Sequence, residues 1–267
     1  MVASATSVMA VGESGPLASY WRFLEAVAEA QLAAWLPGGN TLIVDISGPR
    51  AHCAAHAAAA GHSVLRIVDD MNMTSARDTA SRHPFGRPSR EGGRGGGRGS
   101  VTTIAAEPGN LSFLADSRVD GVIADDRTLS RYLMAEDLVA EIARVLRPDG
   151  QVLACVDSLV LGMAILAEQH HWAELVDLPC AEVVLVPWPD GMITRCFGVE
   201  QLREMFTDAG LDVISIRPRT VLSPSTVAHL LNHNPARLTR LVQAELSAGP
   251  DESVGIQLVI SAVKLGA

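Results

Sequence analysis

The sequence predicts an α/β fold, in which helices cover both faces of a doubly wound, mostly parallel seven-stranded sheet. First, residues 41–70 follow the pattern strand, turn, helix, strand, which is that of a βαβ unit. Second, short apolar runs alternate with helical segments from there to residue 156. Third, apolar runs at residues 213–216 and 256–263 suit a closing pair of strands. A chain of 267 residues is long enough for one large domain of this class.

The composition is that of a globular protein, with 48% hydrophobic and 19% charged residues. The net charge of −9 argues against nucleic acid as the main partner, because phosphate binding favours a basic surface. The sequence starts without the basic residues of a secretory signal, and Asp157 interrupts the longest apolar stretch, residues 152–167. We therefore expect a cytoplasmic protein that binds neither nucleic acid nor membrane. The four cysteines form no Cys-x-x-Cys pair and are expected to be reduced thiols.

The first part of the chain is predicted to cover a pocket. Residues 1–40 comprise a loose tail and a helix over residues 17–36, and the main domain follows from 41 to 267. The large apolar side chains of this helix occupy more than one face, so most of them should belong to the core. Tyr20 and Trp21 could in addition form a wall of the pocket.

The βαβ unit places acidic residues directly after its strands. The apolar run at residues 42–44 ends in Asp45, and the run at 64–68 is followed by Asp69 and Asp70. Short apolar runs that need cover on both faces are typical of buried parallel strands. Nucleoside-binding folds place a ribose-binding carboxylate just past the second strand, so the acidic pair indicates such a site.

A glycine- and arginine-rich segment, residues 83–100, interrupts the alternation. It has no apolar periodicity and is predicted to be a flexible loop. An RNA-binding segment is the alternative, but the run is short, and only Phe85 could stack on a base. A solvated insertion is therefore favoured.

The rest of the chain continues the alternation and then becomes less regular. In chain order the predicted elements are a strand at 101–105, a loop at 106–113, a strand at 119–124, an amphipathic helix at 131–146, a strand at 151–156, a helix at 158–172, an apolar run at 183–186, a helix at 199–209, a strand at 213–216, one or two helices at 223–247 and a strand at 256–263.

Four stretches match one family in order and spacing. They are IVDISG at 43–48, AEPGNLSF at 106–113, VDGVIADD at 119–126 and EIARVLRPDGQVLACV at 141–156. The last, a helix followed by a Pro-Gly turn and a strand, is the most specific. Together they resemble the class I S-adenosylmethionine-dependent methyltransferases, particularly those with small-molecule acceptors, and the likeness covers residues 41–264.

The resemblance implies S-adenosylmethionine as the cofactor and assigns residues to it. Residues after the first strand would face its amino-acid end, one of the two aspartates after the second strand would bind the ribose, and residues after the third strand would lie around the adenine. A carboxylate suits the ribose because it can accept two hydrogen bonds at once. The implied cofactor-binding residues are Asp45, Ser47, Gly48, Asp69, Asp70, Glu107, Asn110 and Leu111.

The same resemblance also implies which residues lie around the methyl-transfer site. Asp125, past the fourth strand, would line the methyl-transfer site. His170 and His171 end a helix in the region that covers the acceptor pocket in this fold, so one of them could be a general base. A polar helix end is the other interpretation. Segments 157–198 and 223–248 are expected to roof the acceptor pocket.

Two pairs of histidines have a spacing that metal ligands can have. His52, Cys53 and His56 lie on one helix with the histidines four residues apart, a spacing that can hold a metal. No matching carboxylate or cysteine pair follows, so helix packing is favoured and no metal site is predicted. His229 and His233 have the same spacing and less support.

These observations lead to three functional hypotheses. The first is a methyltransferase that moves a methyl group to a small organic acceptor by direct displacement. The second is an inactive protein of the same fold that acts as a binding module. It is motivated by residues 47–51, where the family has three glycines and this sequence keeps only Gly48, followed by Pro49 and Arg50. The third, a nicotinamide-dependent oxidoreductase, lacks its Gly-x-Gly-x-x-Gly motif.

Overall fold

The structure is a computed structural model. It describes residues 18–48, 51–69, 99–178, 181, 183–187, 191–247 and 255–266. The predicted tail (1–15), Pro49, Arg50, Asp70 and all but the end of the predicted loop at 83–100 lie outside the described residues.

The described residues form nine strands and nine α-helices. The strands are β1 (Leu42–Asp45), β2 (Ser63–Val68), β3 (Ser100–Ala105), β4 (Val119–Ala124), β5 (Leu146–Ser158), β6 (Val184–Pro187), β7 (Ile193–Phe197), β8 (Leu211–Pro218) and β9 (Gln257–Lys264). The helices are α1 (Ala18–Trp35), α2 (Cys53–Ala59), α3 (Thr128–Arg131), α4 (Ala135–Val145), α5 (Leu159–Glu168), α6 (Trp172–Asp177), α7 (Val199–Asp208), α8 (Pro224–His233) and α9 (Leu238–Ser247).

The sheet confirms the predicted fold class. Strands β3, β2, β1, β4 and β5 are parallel neighbours, and β9 and then β8 continue the sheet beyond β5 as antiparallel neighbours. These are the seven predicted strands. The other two, β6 and β7, form an antiparallel hairpin that joins the sheet where β7 pairs with Asp157 and Ser158 of β5.

The hairpin was only partly predicted because β7 contains a charged residue that is buried. The side chain of Arg195 is 2% exposed, and its guanidinium donates to both carboxylate oxygens of Glu136 at 2.6 and 2.8 Å. This ion pair, with a further bond from Arg195 Nη1 to the Leu133 carbonyl at 3.2 Å, gives partners to the two terminal nitrogens of the buried guanidinium. The opposite face of the hairpin packs on α5 through Val184, Val186 and Cys196.

Helices cover both faces of the sheet, as predicted. On one face α4 and α7 pack through Leu138, Ile142 and Phe206. On the other face α1 and α2 pack through Leu32 and Ala57 against the strands. Helix α4 is shorter than predicted because a separate turn of helix, α3, precedes it.

The C-terminal helices lie against the first helix. Tyr20, Phe23 and Val27 of α1 form an apolar cluster with Val227 and Leu231 of α8. Contacts between α1 and both α8 and α9 therefore bring the predicted N-terminal cover and the second predicted cap segment together. Within the described ranges, no helix has the length and apolar character that crossing a membrane requires.

Candidate functional site

Three carboxylates stand side by side where neighbouring parallel strands end. Asp45 is the last residue of β1, Asp125 directly follows β4, and Asp157 is the penultimate residue of β5. All three side chains are buried. Open α/β sheets bind ligands outside the carboxyl ends of their strands, so this edge is the candidate site.

The loops after β1 and β4 are tied to each other. The hydroxyl of Ser47 accepts a hydrogen bond from the Asp125 amide at 2.9 Å, and the Gly48 amide donates to the Asp125 carbonyl at 3.0 Å. The Thr128 hydroxyl adds a bond to the Ile46 carbonyl at 3.0 Å. A Cβ on Gly48 would lie 2.8 Å from the backbone oxygen of Asp126, so the contact requires glycine.

Asp125 is paired with an arginine that the sequence analysis missed. Arg219 Nη2 lies 2.8 Å from Asp125 Oδ1, and Nη1 lies 3.2 Å from Oδ2. The two side chains are only 6% and 12% exposed. Arg219 directly follows β8, and no pattern in the sequence distinguishes it from a solvated arginine. The Asp125 carboxylate is therefore neutralised within the protein.

A second buried ion pair joins β4, β5 and β7. Arg127 Nε donates to both oxygens of Asp157 at 2.8 and 2.9 Å, and Thr194 Oγ1 donates to the same carboxylate at 2.8 Å. Arg127 and Asp126 both have left-handed backbone conformations, with φ of 65° and 53°. The sequence analysis noted Asp157 only as the residue that interrupts an apolar stretch, although, like Asp45, it is a carboxylate at the end of an apolar strand.

Asp45 differs from the other two carboxylates because one of its oxygens has no partner. Oδ1 accepts a hydrogen bond from the Ser47 amide at 2.9 Å. Oδ2 is buried, and none of the described residues donates to it. Burial raises the pKa of Asp45, hydrogen bonds from Ser47 and the charge of Arg66 on the neighbouring strand β2 lower it, and the nearby charge of Asp125 raises it. Because buried polar atoms nearly always have partners, Oδ2 is a candidate contact for the cationic group of a ligand.

We expect Asp45→Asn to stabilise the ligand-free protein at about pH 8. Burial raises the pKa of Asp45 above its unfolded value, so its contribution to stability is complete below the unfolded pKa and is lost as the pH rises through the folded pKa. Asparagine cannot ionise. Urea unfolding should therefore favour the variant at about pH 8 and show little difference from wild type at about pH 4. A variant that is less stable at both pH values would contradict this expectation.

The predicted nucleoside side lies at the ends of β2 and β3. Asp69 follows β2, Glu107 lies in the loop after β3, and both are exposed. Burial raises the pKa of Tyr132, the hydrogen bond with the Gly109 amide lowers it, and the charges of Glu107 and Asp69 raise it. The Tyr132 hydroxyl accepts a hydrogen bond from the Gly109 amide at 2.8 Å, which fixes the loop after β3 against α3.

Two other predicted adenine contacts stabilise this loop. Asn110 Oδ1 accepts a hydrogen bond from the Ser112 amide at 3.1 Å and so closes a turn. The Leu111 side chain is fully buried in the main core. The structure therefore brings Asp45, Ser47, Gly48 and Asp125 together at one edge, with the predicted nucleoside side at the neighbouring strands.

The predicted catalytic histidines are not part of this cluster. Helix α5 begins directly after β5 and has ten residues, about 15 Å at 1.5 Å per residue, and His170 and His171 follow its far end. His171 Nδ1 lies 3.3 Å from Glu174 Oε1.

The histidines considered as metal ligands have other contacts. His56 Nε2 lies 3.4 Å from Glu29 Oε1. No group of three metal-ligating side chains occurs in the described part of the chain.

Comparisons with known proteins support the fold. No protein-family model matches the sequence, and no curated protein matches it either. Among solved structures, a SAM-dependent methyltransferase from Methanosarcina mazei has a TM-score of 0.56 and 18% identity, over 89% of this chain and 98% of that one. The 1,6-didemethyltoxoflavin-N1-methyltransferase of Burkholderia thailandensis, crystallised with its substrate and S-adenosylhomocysteine, has a TM-score of 0.54 and 18% identity, over 91% and 79%.

The same fold also occurs in a protein with a different reaction. The [4+2]-cyclase SpnF has a TM-score of 0.53 and 16% identity, over 90% of this chain and 81% of that one. At these identities the likeness shows the fold alone. The chain therefore has the Rossmann-like fold of class I S-adenosylmethionine-dependent methyltransferases, and its reaction must be argued from its own residues.

Proposed function

We propose that this protein is an S-adenosylmethionine-dependent methyltransferase that moves a methyl group to a small organic acceptor by direct displacement. The observation that supports this most is the unpartnered, buried Oδ2 of Asp45 at the carboxyl edge of the sheet. It lies on the same edge as the exposed carboxylates of Asp69 and Glu107. Solved structures of this fold include S-adenosylmethionine-dependent methyltransferases, and one of them was crystallised with 1,6-didemethyltoxoflavin and S-adenosylhomocysteine.

The residues at this edge fit such a cofactor. An exposed carboxylate such as Asp69 can accept two hydrogen bonds from vicinal ribose hydroxyls. Glu107 can accept one from the adenine amine, with Asn110 and Leu111 holding the loop beside the ring. Asp45 would bind the ammonium of the amino-acid end, while Ser47 and Gly48 keep the loop in place. Asp70, outside the described residues, stays a predicted ribose contact.

The protein's contribution to methyl transfer would be positioning and exclusion of water. When bound, the cofactor supplies a methyl group that the acceptor atom attacks directly. Asp125 would hold the β1 loop rather than take a proton, because both its carboxylate oxygens already accept hydrogen bonds from Arg219. His170 and His171 stay predicted proton acceptors, and an acceptor would have to reach along α5 to meet them.

Calorimetric titration with S-adenosylmethionine and S-adenosylhomocysteine tests the proposal. We expect micromolar dissociation constants, and about tenfold weaker binding after Asp69→Ala or Glu107→Ala, because each loses a hydrogen bond to a charged group. Asp212→Ala is a matched control. Asp212 is an exposed carboxylate near the start of β8, away from the carboxyl ends of the strands where the candidate site lies. Absence of both heat and thermal shift at millimolar cofactor would refute the proposal.

A further inference from the structure

A cavity of about 440 Å³ lies where α1 meets the C-terminal helices. Its volume falls within the range of about 300–1,000 Å³ that is usual for small-molecule sites. The residues that line it come from α1, α8, α9 and the short turn between α8 and α9. They are Ser19, Arg22, Leu231, Asn232, Pro235 and Leu238. None of them belongs to the candidate site at the carboxyl edge of the sheet, so the cavity is a second candidate site.

Part of the cavity is apolar. Leu231 is only 6% exposed and belongs to the cluster in which α1 and α8 pack together. Leu238, the first residue of α9, is partly buried against the same cluster, and Pro235 lies between the two helices. An aliphatic group placed in the cavity would extend this cluster and leave water, which favours binding.

The polar part of the cavity offers hydrogen-bond donors and a positive charge. Ser19 Oγ donates to Asn232 Oδ1 at 3.0 Å, so the oxygen of this amide has a partner and its two N–H donors remain available. Arg22 is exposed, and no described residue forms a hydrogen bond or an ion pair with its guanidinium. None of the lining residues is acidic. In a chain with a net charge of −9, this combination favours an anion locally.

We propose that this cavity binds a small carboxylic acid with an aliphatic body. Arg22 and Asn232 bind the carboxylate, because the guanidinium presents parallel N–H donors that match its two oxygens. Leu231 and Leu238 contact the aliphatic chain. The acid bridges α1 and α8, whose residues Ser19 and Asn232 are 213 positions apart in the sequence. The site does not depend on the proposed methyltransferase function.

The experiment compares octanoate with its uncharged amide, octanamide, by calorimetry in wild type and Arg22→Gln. We expect wild type to bind octanoate more tightly than octanamide. Arg22→Gln should weaken octanoate binding about tenfold, because a hydrogen bond between charged groups is lost, and leave octanamide binding unchanged. Arg237→Gln is the matched control. Arg237 is an exposed arginine of the turn beside the cavity but does not line it, so its replacement should change neither affinity.

A second variant tests the cavity itself. Leu238→Trp places a larger side chain in the cavity and should weaken both ligands, whereas Arg22→Gln weakens octanoate alone. If octanoate binds no better than octanamide, or if Arg22→Gln and Arg237→Gln have equal effects, Arg22 does not select a carboxylate and the proposal is overturned. It is also overturned if wild type binds neither ligand. In that case, a dimer in sedimentation that Leu238→Trp dissociates would identify a second copy of the chain as the occupant.

Discussion

Replacing Asp157 with alanine is expected to lower the free energy of unfolding by about 3–5 kcal/mol, because it leaves the buried guanidinium of Arg127 without its counter-ion. Urea unfolding followed by circular dichroism measures this. Asp116→Ala is the matched control, since Asp116 is also paired with an arginine, Arg144, at 2.6 Å but is 75% exposed. Pairs in solvent contribute less than about 1 kcal/mol, so the control should stay near wild type.

Removing both charges should recover part of the loss. The double variant Asp157→Ala/Arg127→Gly has no buried charge to compensate, and glycine suits the left-handed backbone at position 127. We expect it to be more stable than Asp157→Ala alone. A cost of under about 1 kcal/mol for the single variant would show that the ion pair does not stabilise the junction of β4, β5 and β7.

Most of the sheet could be predicted because parallel strands buried on both faces are continuous apolar runs. The predicted strand at residues 119–124 has the observed bounds. The strand predicted at 101–105 begins one residue later than the observed strand. Turn residues such as glycine and proline lie between the apolar runs, and they marked where the predicted helices end. These signals are local, so a single sequence is sufficient to show them.

The buried ion pairs could not be predicted because their partners are distant in sequence. Arg219 and Asp125 are 94 residues apart, and Arg195 and Glu136 are 59 apart. A charged residue in a sequence is ordinarily solvated, and only the fold shows that it is buried and paired. Strand β7 was not predicted for the same reason, because its buried Arg195 is paired with a residue that is distant in sequence.

The candidate site was predicted where it depends on strand ends alone. The resemblance assigned Asp45 and Asp125 to the site, and both residues end or follow parallel strands whose carboxyl ends share one edge of the sheet. The same rule applied to Asp157 would have found it. The unpaired Oδ2 of Asp45 and the partner Arg219 depend on tertiary contacts, and no pattern in the sequence indicates them.

Gly48 shows why one glycine can be sufficient in a loop where the resemblance implies three. Its amide donates to the Asp125 carbonyl, and a Cβ at this position would lie 2.8 Å from the Asp126 carbonyl oxygen and 2.9 Å from its Cγ. The loop after β1 therefore rests directly on the loop after β4. Any side chain at Gly48 must push the two loops apart, together with Asp45.

We expect Gly48→Ala to weaken binding of S-adenosylhomocysteine by about ten- to a hundredfold, since moving the loop with Asp45 would lose the proposed hydrogen bond to the charged ammonium group. The overpacking should also lower the free energy of unfolding by about 1–3 kcal/mol. Gly38→Ala is the control, because a Cβ on Gly38 has no neighbour within 4 Å. Calorimetry and urea unfolding of both variants decide the matter. If Gly48→Ala binds like Gly38→Ala, the contact between the two loops does not position the cofactor, and Asp45 must be held by other means.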